Sequence, residues 1–93
     1  MELQQLRYFL VVANHLNLSQ AAETLSISQP ALSKMMARLQ HQLSVRLYVR
    51  KGRGIALTDA GIALRSRAES IIYRMDEAEQ LMARSVGIPV SRA

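Results

Sequence analysis

The feature that most constrains the fold is a long stretch without helix breakers in the last third of the chain. From Asp59 to about Ser85 there is no proline, and the one glycine, Gly61, falls in what would be the first turn. A helix rises about 1.5 Å per residue, so this one would extend about 40 Å, more than a small three-helix body can cover. We therefore expect its distal half to pack against a second copy of the chain.

Apolar residues recur along this predicted helix at alternating spacings of four and three residues. The series runs through Leu64, Ala68, Ile71, Met75, Ala78 and Met82, and it is widened by Ile72 and Leu81. Such a heptad seam is typical of helices that pair with one another. The pattern therefore predicts that these residues form the interface of a homodimer.

Three shorter helices are predicted ahead of the long one. Apolar side chains that step by three and four from Leu3 to Ala13 predict a helix over about residues 2–14. The second helix, over Gln20 to Leu25, is short. Ser19 stands just before it, where a hydroxyl can accept a hydrogen bond from one of the first amides.

The third helix is predicted to begin at Gln29-Pro30, because proline is tolerated in a first turn, where amides have no intrahelical partner. Its buried face is predicted to consist of Leu32, Met36, Leu39 and Leu43, with Met35 beside them. At about 100° per residue, the outer face then carries Pro30, Ser33, Lys34, Ala37 and His41. That face is polar, small and weakly basic.

The hydrophobic period changes after Ser44. Residues 47–50 and 55–57 favour strands, and the glycine-bearing turn at 51–54 between them predicts a small β-hairpin. Thr58 then offers a hydroxyl cap to the long helix. The sequence thus predicts a mainly α fold, a winged helix–turn–helix whose hairpin wing is followed by a long dimerising linker helix.

Positive charge is concentrated in the middle of the chain. The 93 residues carry 12 Lys and Arg against 7 Asp and Glu, a net charge of +5. Residues 44–67 hold six basic side chains and one acidic one, so this segment accounts for the excess. A local basic cluster suits a phosphate-rich partner, and a solvated basic face with no partner is the alternative.

The sequence offers few residues suited to catalysis or metal binding. There is no cysteine, and His15 and His41 fall in different predicted elements, with neither Asp59 nor Asp76 close to a histidine. The glycines at residues 52–54 lack the Gly-Lys-Ser/Thr ending of a phosphate loop. We expect no enzymatic activity, no metal and no cofactor.

No part of the sequence predicts contact with a membrane. No run approaches the ~18 consecutive apolar residues of a membrane span. The first residues lack the basic start and apolar core of a secretory signal. We therefore expect a cytoplasmic protein with no membrane partner.

The order helix, short helix, three-residue turn, helix predicts a helix–turn–helix. In that motif the second helix enters the major groove of DNA and its first residues contact base edges. Here those residues are Gln29, Pro30, Ser33 and Lys34, of which glutamine can bond adenine bidentately and lysine suits guanine acceptors. The alternative is that they are ordinary surface residues of a helical bundle.

A basic hairpin favours the DNA-binding interpretation, because a protruding arginine can enter a narrow minor groove or pair with phosphates. The candidate wing residues are Arg50, Lys51 and Arg53. The candidate set on the third helix is Ser28, Gln29, Pro30, Ala31, Ser33, Lys34, Ala37 and Arg38. Ser19 is a further candidate, as a cap or a phosphate contact.

Two motifs occur in one register, SQPALS at residues 28–33 and LTDAG at residues 57–61. Together with LQQLRYF at 3–9 and SQAAETL at 19–25, they resemble the N-terminal domain of LysR-type bacterial transcriptional regulators over roughly residues 1–85. The resemblance implies a winged helix–turn–helix at 1–57, a dimerising linker helix at 58–86 and the start of a linker at 87–93. It also implies that the third helix faces the major groove and the wing the minor groove.

Members of this family usually carry a larger C-terminal domain that senses a small-molecule effector. We expect this chain to be the DNA-binding portion alone, so that an effector would act only through the missing domain. Lys34 stands where the family more often has arginine, and Ser44 where glycine is common. The sequence leaves open whether a full-length protein assembles beyond a dimer to a tetramer.

The sequence thus predicts a dimeric, sequence-specific binder of double-stranded DNA, which reads an interrupted dyad in a promoter or operator. Two third helices would lie in major grooves about one helical turn apart, or a multiple of it. The alternative from another class is a protein-interaction module, in which the heptad helix mediates assembly and the basic hairpin binds an acidic protein.

Overall fold

A computed structural model of the chain describes residues 1–85. The predicted linker at 87–93 and the predicted helix end at 87–89 lie outside the described residues. The elements are α1 (Leu3–His15), α2 (Leu18–Leu25), α3 (Gln29–Leu43), β1 (Tyr48–Lys51), β2 (Gly54–Leu57) and α4 (Asp59–Ser85). The prediction of a mainly α, winged helix–turn–helix fold with a long last helix is confirmed.

α1 follows from its apolar spacing and from a cap supplied by its own first turn. Gln5 accepts a hydrogen bond from the backbone N–H of Glu2 at 2.7 Å, which satisfies a donor at the helix start. Leu6, Phe9 and Val12 then lie on the buried face.

The prediction that α2 begins at Gln20 with Ser19 as its cap is wrong. The helix begins at Leu18, and the side chain of Asn17 accepts a hydrogen bond from the Gln20 N–H at 2.9 Å. Asn17 takes the cap position because its backbone is extended, with φ −158°, while Ser19 already lies in the first turn. The hydroxyl of Ser19 is therefore available for another partner.

α3 starts where the sequence predicted it. Ser28 caps the helix by accepting a hydrogen bond from the Ala31 N–H at 3.1 Å, and Pro30 occupies the first turn. The predicted buried stripe is confirmed for Leu32, Met36 and Leu39, which are fully buried, while Leu43 and Met35 are half-buried against the core.

The β1–β2 hairpin, called the wing from here on, is antiparallel, with Tyr48 opposite Leu57 and Lys51 opposite Gly54. Its two-residue tip uses Gly52 at φ +59°, a conformation that glycine adopts without steric cost. Close to the tip, the Ile55 N–H donates to the Leu16 carbonyl at 3.0 Å. This hydrogen bond joins the wing to the turn between α1 and α2.

Thr58 caps α4, as predicted, and also joins it to the segment that precedes β1. Its hydroxyl accepts a hydrogen bond from the Gly61 N–H at 3.1 Å and donates to the Arg46 carbonyl at 2.6 Å. Its own N–H donates to the Leu47 carbonyl at 3.0 Å. A Cβ at Gly61 would overlap that Leu47 oxygen, so only glycine allows this approach.

The core lies between the first three helices and the base of the wing. Its largest fully buried side chains are Phe9, Val12, Leu32, Met36, Leu39 and Leu47. The first five come from α1 and α3, and α2 contributes the small Ala21 and Ala22. Of the helices within residues 1–85, none has the length and apolar character needed to cross a bilayer.

α4 packs on its own chain as far as Asp76. Ala68 is completely buried, Leu64 packs against the core, and Asp76 lies 3.7 Å from the guanidinium of Arg7 on α1. Ala68 has no surface left to offer a second copy, which corrects its place in the predicted dimer seam. The physical reason is that the same apolar stripe first covers α1 before it extends past the body.

Candidate nucleic-acid interface

The outer face of α3 carries the predicted base-contacting residues at the surface. Seven of them are exposed, namely Ser28, Gln29, Pro30, Ala31, Lys34, Ala37 and Arg38, and Ser33 is half-buried. Their backbone is held by the Ser28 cap and by the packing of Leu32 and Met36 beneath. The first two turns of α3 therefore present short polar and basic side chains from a fixed helix.

A cleft of about 480 Å³, called the wing cleft, separates α2 and the start of α3 from the wing. Its polar lining includes Asn17, Ser19, Gln29, Arg46, Arg50 and Arg53. Three arginine residues therefore border one open groove. Arginine presents a planar fork of donors that matches phosphate oxygens, so the wing cleft suits a polyanionic strand.

Two of the three predicted wing residues line this cleft and the third does not. Arg50 and Arg53 border it, whereas Lys51 is exposed but is not part of its lining. Lys51 sits opposite Gly54 at the last pair of the hairpin. The structure thus brings Arg50 and Arg53 together with α3 and leaves Lys51 at the outer edge of the wing.

Arg46 is a site residue that sequence reasoning did not single out. It belongs to the basic segment 44–67, but it lies between α3 and β1, where no periodic pattern indicates which way a side chain faces. Its backbone carbonyl is held by the Thr58 hydroxyl at 2.6 Å, so the start of α4 helps to fix its position.

Tyr48 also lines the wing cleft, from the first residue of β1. Burial raises the pKa of the Tyr48 phenol above its ordinary value of 10.0, and the charge of Arg46 partly opposes this. The phenol is therefore neutral at physiological pH. It can donate a hydrogen bond without adding negative charge to a basic cleft.

A smaller hollow of about 290 Å³ lies on another side of α3, between that helix and the start of α1. It is lined by Lys34 and Arg38 from α3 and by Glu2 and Gln4 from the α1 end. Basic residues therefore lie on the exposed face of α3 itself, at Lys34 and Arg38, and across the wing cleft from it. This is the charge arrangement expected of a helix that lies in a groove between two phosphate backbones.

A hydrogen bond joins two of the candidate residues across the helix–turn–helix. The Ser19 hydroxyl donates to the Gln29 Oε1 atom at 3.0 Å. The two residues are ten positions apart and lie in the first turns of α2 and α3. Sequence reasoning identified both residues but not the contact, because no local pattern reveals how the two helices face each other.

His15 has a structural partner in the neighbouring helix. His15 Nε2 shares a hydrogen bond with the Thr24 hydroxyl at 2.9 Å, which links the end of α1 to α2. Among residues 1–85, no three His, Cys, Asp or Glu side chains are grouped so that they could hold a metal ion.

The distal half of α4 exposes a row of apolar side chains. Ile71 is 44% exposed, Leu81 52% and Met82 61%, and Ala78 is also exposed. Ile72 and Met75 are half-buried, at the boundary between the part of the helix that covers α1 and the part that does not. Tyr73 is 67% exposed, although it lies outside the predicted seam.

Comparison with protein families gives one match that covers most of the described chain. A family described as bacterial regulatory helix–turn–helix proteins of the lysR family matches residues 3–62. The matched region runs from the first residue of α1 into the first turn of α4.

Curated relatives include the nitrogen assimilation regulatory protein nac of Escherichia coli (strain K12). It is 40% identical over 91 residues, which is 98% of this chain and 30% of nac. The Hca operon transcriptional activator HcaR of the same strain is 43% identical over 86 residues, 92% of this chain and 29% of HcaR. The chain thus spans about a third or less of the length of these two relatives.

Solved structures with the same fold include complexes with DNA. The crystal structure of the BenM DBD with benA site 1 DNA has a TM-score of 0.88 and 30% identity, and covers 92% of this chain and 100% of that one. Full-length CbnR with its target DNA has a TM-score of 0.83 and 37% identity, over 89% of this chain and 29% of that one.

Proposed function

The chain belongs to the LysR family of bacterial regulatory helix–turn–helix proteins, and we propose that it is the part of a transcriptional regulator that binds specific double-stranded DNA. The observation that carries this proposal is the set of basic residues on α3 and beside it. The wing cleft holds Arg46, Arg50 and Arg53 on one side, and the α1–α3 hollow holds Lys34 and Arg38 on another. The structures of BenM and CbnR with DNA support it by their likeness.

In the proposed complex, α3 enters the major groove and its first two turns contact base edges. Gln29, Ser33 and Lys34 supply hydrogen-bonding groups from these turns, and the small Pro30 and Ala37 allow close approach to the bases. The arginines of the wing cleft bind phosphates or the adjacent minor groove. Phosphate contacts set the register, and base contacts provide the specificity.

The functional unit is proposed to be a homodimer through α4. Ile71, Ala78, Leu81 and Met82 offer an exposed apolar row that one chain leaves uncovered. Twofold pairing along this row would place the two α3 helices on the two halves of an interrupted dyad. The proposed role is binding and not catalysis, and chromosomal DNA as the target would place the protein in the cytoplasm.

The test is a fluorescence-anisotropy titration onto a dyad duplex selected from a random pool and onto a scrambled duplex, at several salt concentrations. We expect the selected dyad to bind at least about 10³-fold more tightly than the scrambled one, within the range typical of specific readers. Equal, weak binding of both duplexes with a salt slope alone would contradict the proposal. That result would favour the assembly module with a generic basic surface.

A further inference from the structure

We propose that Ser19 determines which bases Gln29 reads, by turning the Gln29 amide so that it offers a donor to DNA and selects a keto base, guanine or thymine. The inference rests on the proposed function, because Gln29 faces bases only if α3 enters the major groove. Ser19 is a positioning residue in this scheme and need not touch the base.

The hydrogen bond between the two side chains joins two fixed points of the backbone. Ser19 lies in the first turn of α2, which Asn17 caps, and Gln29 is the first residue of α3, which Ser28 caps. The Ser19 hydroxyl donates to the Gln29 Oε1 atom at 3.0 Å, and both residues line the wing cleft. The amide plane of Gln29 is therefore oriented before any DNA arrives.

The orientation of the Gln29 amide determines whether an acceptor or a donor is presented to DNA. A glutamine side chain has one carbonyl acceptor and one amino group with two donors. With Oε1 bound by Ser19 on α2, the Nε2 amino group is the part of the amide that remains to be offered to DNA. Bidentate pairing with adenine needs both groups, Oε1 to accept from N6 and Nε2 to donate to N7. Ser19 already occupies one of the two lone pairs of Oε1, which makes that oxygen a weaker acceptor for adenine N6.

A donor that faces the major groove matches a different set of bases. Guanine presents two adjacent acceptors, O6 and N7, and thymine presents O4, whereas adenine has only N7 beside its N6 amino donor and cytosine presents its N4 amino donor. Gln29 held in this way is expected to favour a keto base on the strand it contacts. This reverses the adenine preference that the residue type alone suggested.

The same hydrogen bond limits the other role predicted for Ser19. A serine hydroxyl has a single proton to donate, and phosphate oxygens only accept. In the structure that proton is directed to Gln29 Oε1. A hydroxyl that orients Gln29 therefore has no donor left for a phosphate, so the orienting and phosphate roles make different experimental predictions.

The experiment compares the wild type with Ser19→Ala, Ser19→Thr, Gln29→Ala and the Ser19→Ala/Gln29→Ala double variant. Thr24→Ala is the matched control, because it removes another α2 hydroxyl, one that bonds His15 instead of Gln29. Sites are selected from a random dyad pool. The position whose preference disappears in Gln29→Ala is then tested with all four base pairs by fluorescence anisotropy, and circular dichroism checks the helix content of each variant.

We expect the wild type to bind guanine or thymine at this position at least about fivefold more tightly than adenine or cytosine, the equivalent of ~1 kcal/mol. Ser19→Ala should reduce this ratio to under about twofold, with Ser19→Thr and Thr24→Ala keeping it. On the Gln29→Ala background, Ser19→Ala should change nothing further.

Three results would overturn the inference while leaving the proposed function intact. These are a wild-type preference for adenine, a Ser19→Ala variant that keeps the full keto preference, and a Ser19→Ala variant that loses affinity equally for all four pairs. The last would assign Ser19 to phosphate binding or to folding. Failure of the wild type to select any sequence would instead overturn the proposed function, and this inference with it.

Discussion

Gly61 shows how one residue can be required by packing instead of by flexibility. The carbonyl of Leu47 occupies the position where a Cβ at residue 61 would project, and the same carbonyl accepts the Thr58 N–H. A side chain here has to push the start of α4 away from the segment that leads into β1. Gly61 thus allows the start of α4 to lie against Leu47, and the hydrogen bonds of Thr58 hold the two segments together.

We predict that Gly61→Ala lowers the free energy of unfolding by about 2–3 kcal/mol, the cost typical of overpacking. Gly52→Ala is the control, since a Cβ there meets nothing within 4 Å. Its only destabilising effect is the strain of an alanine at a φ of +59°. Urea denaturation followed by circular dichroism measures both. Equal losses in the two variants would show that conformational strain, and not the Leu47 contact, explains the need for glycine.

Ser33 is the half-buried member of the α3 face, one turn beyond the Ser28 cap. We predict that Ser33→Ala weakens binding to the selected dyad by about 5- to 10-fold, the value of one hydrogen bond to a base, and leaves scrambled DNA unaffected. Anisotropy titrations on both duplexes measure this difference. A parallel loss on both would place Ser33 against the phosphate backbone and not against a base.

The wing is held in place by hydrogen bonds near its tip and at its base. Ile55 is hydrogen-bonded to Leu16 between α1 and α2, and the chain on either side of the hairpin is held by Thr58. The backbone that carries Arg50 and Arg53 is therefore held at a fixed distance from α3. In the proposed complex, the charges of the wing should contribute to DNA affinity in a way that depends on salt concentration.

We predict that Arg53→Ala lowers affinity for all duplexes and reduces the slope of log K against log salt concentration by about 0.9, the value for one lost phosphate contact. Arg84→Ala, an exposed arginine in the last turn of α4, is the matched control and should leave the slope unchanged. An Arg53→Ala variant with the wild-type slope would remove Arg53 from the phosphate-binding set.

The elements that the sequence predicted correctly are those with local signals. Pro30 marks the start of α3, Thr58 supplies a hydroxyl at the start of α4, and the apolar spacing gives the face of each helix. The misassigned cap of α2 also has a local origin. Asn17 and Ser19 are both good caps, and only the backbone conformation, extended at Asn17, decides between them.

The features that could not be predicted depend on how elements meet. Arg46 joins the wing cleft, and Ser19 reaches Gln29, only because α2, α3 and the wing converge. Ala68 was assigned to the dimer seam because a heptad pattern is the same whether a helix packs on its own chain or on a second copy. Sequence spacing identifies an apolar face, and tertiary structure identifies what covers it.

At the scale of the whole molecule, α4 divides into a part that belongs to the body and a part that is left for assembly. Ala68 is buried within the chain and Asp76 is paired with Arg7, whereas Leu81 and Met82 are more than half exposed. The covered part anchors the helix to α1. The uncovered part is the surface on which the proposed dimer depends.

We predict that Ile71→Asp gives a monomer, because an unpaired carboxylate in an apolar contact costs more than about 3 kcal/mol. Tyr73→Asp is the control, since residue 73 lies about 200° around the helix from residue 71 and should leave the dimer intact. Sedimentation equilibrium distinguishes the two. A dimeric Ile71→Asp variant would place the interface elsewhere on the molecule.

The bonds that Thr58 makes have a mechanical consequence. Its hydroxyl and its N–H tie the start of α4 to the carbonyls of Arg46 and Leu47, immediately ahead of the wing. The winged helix–turn–helix and α4 are therefore held together as one rigid unit. In the proposed dimer, the angle between α4 and the rest of each chain fixes the distance between the two α3 helices. An operator whose half-sites have a different spacing would have to bend or twist to contact both.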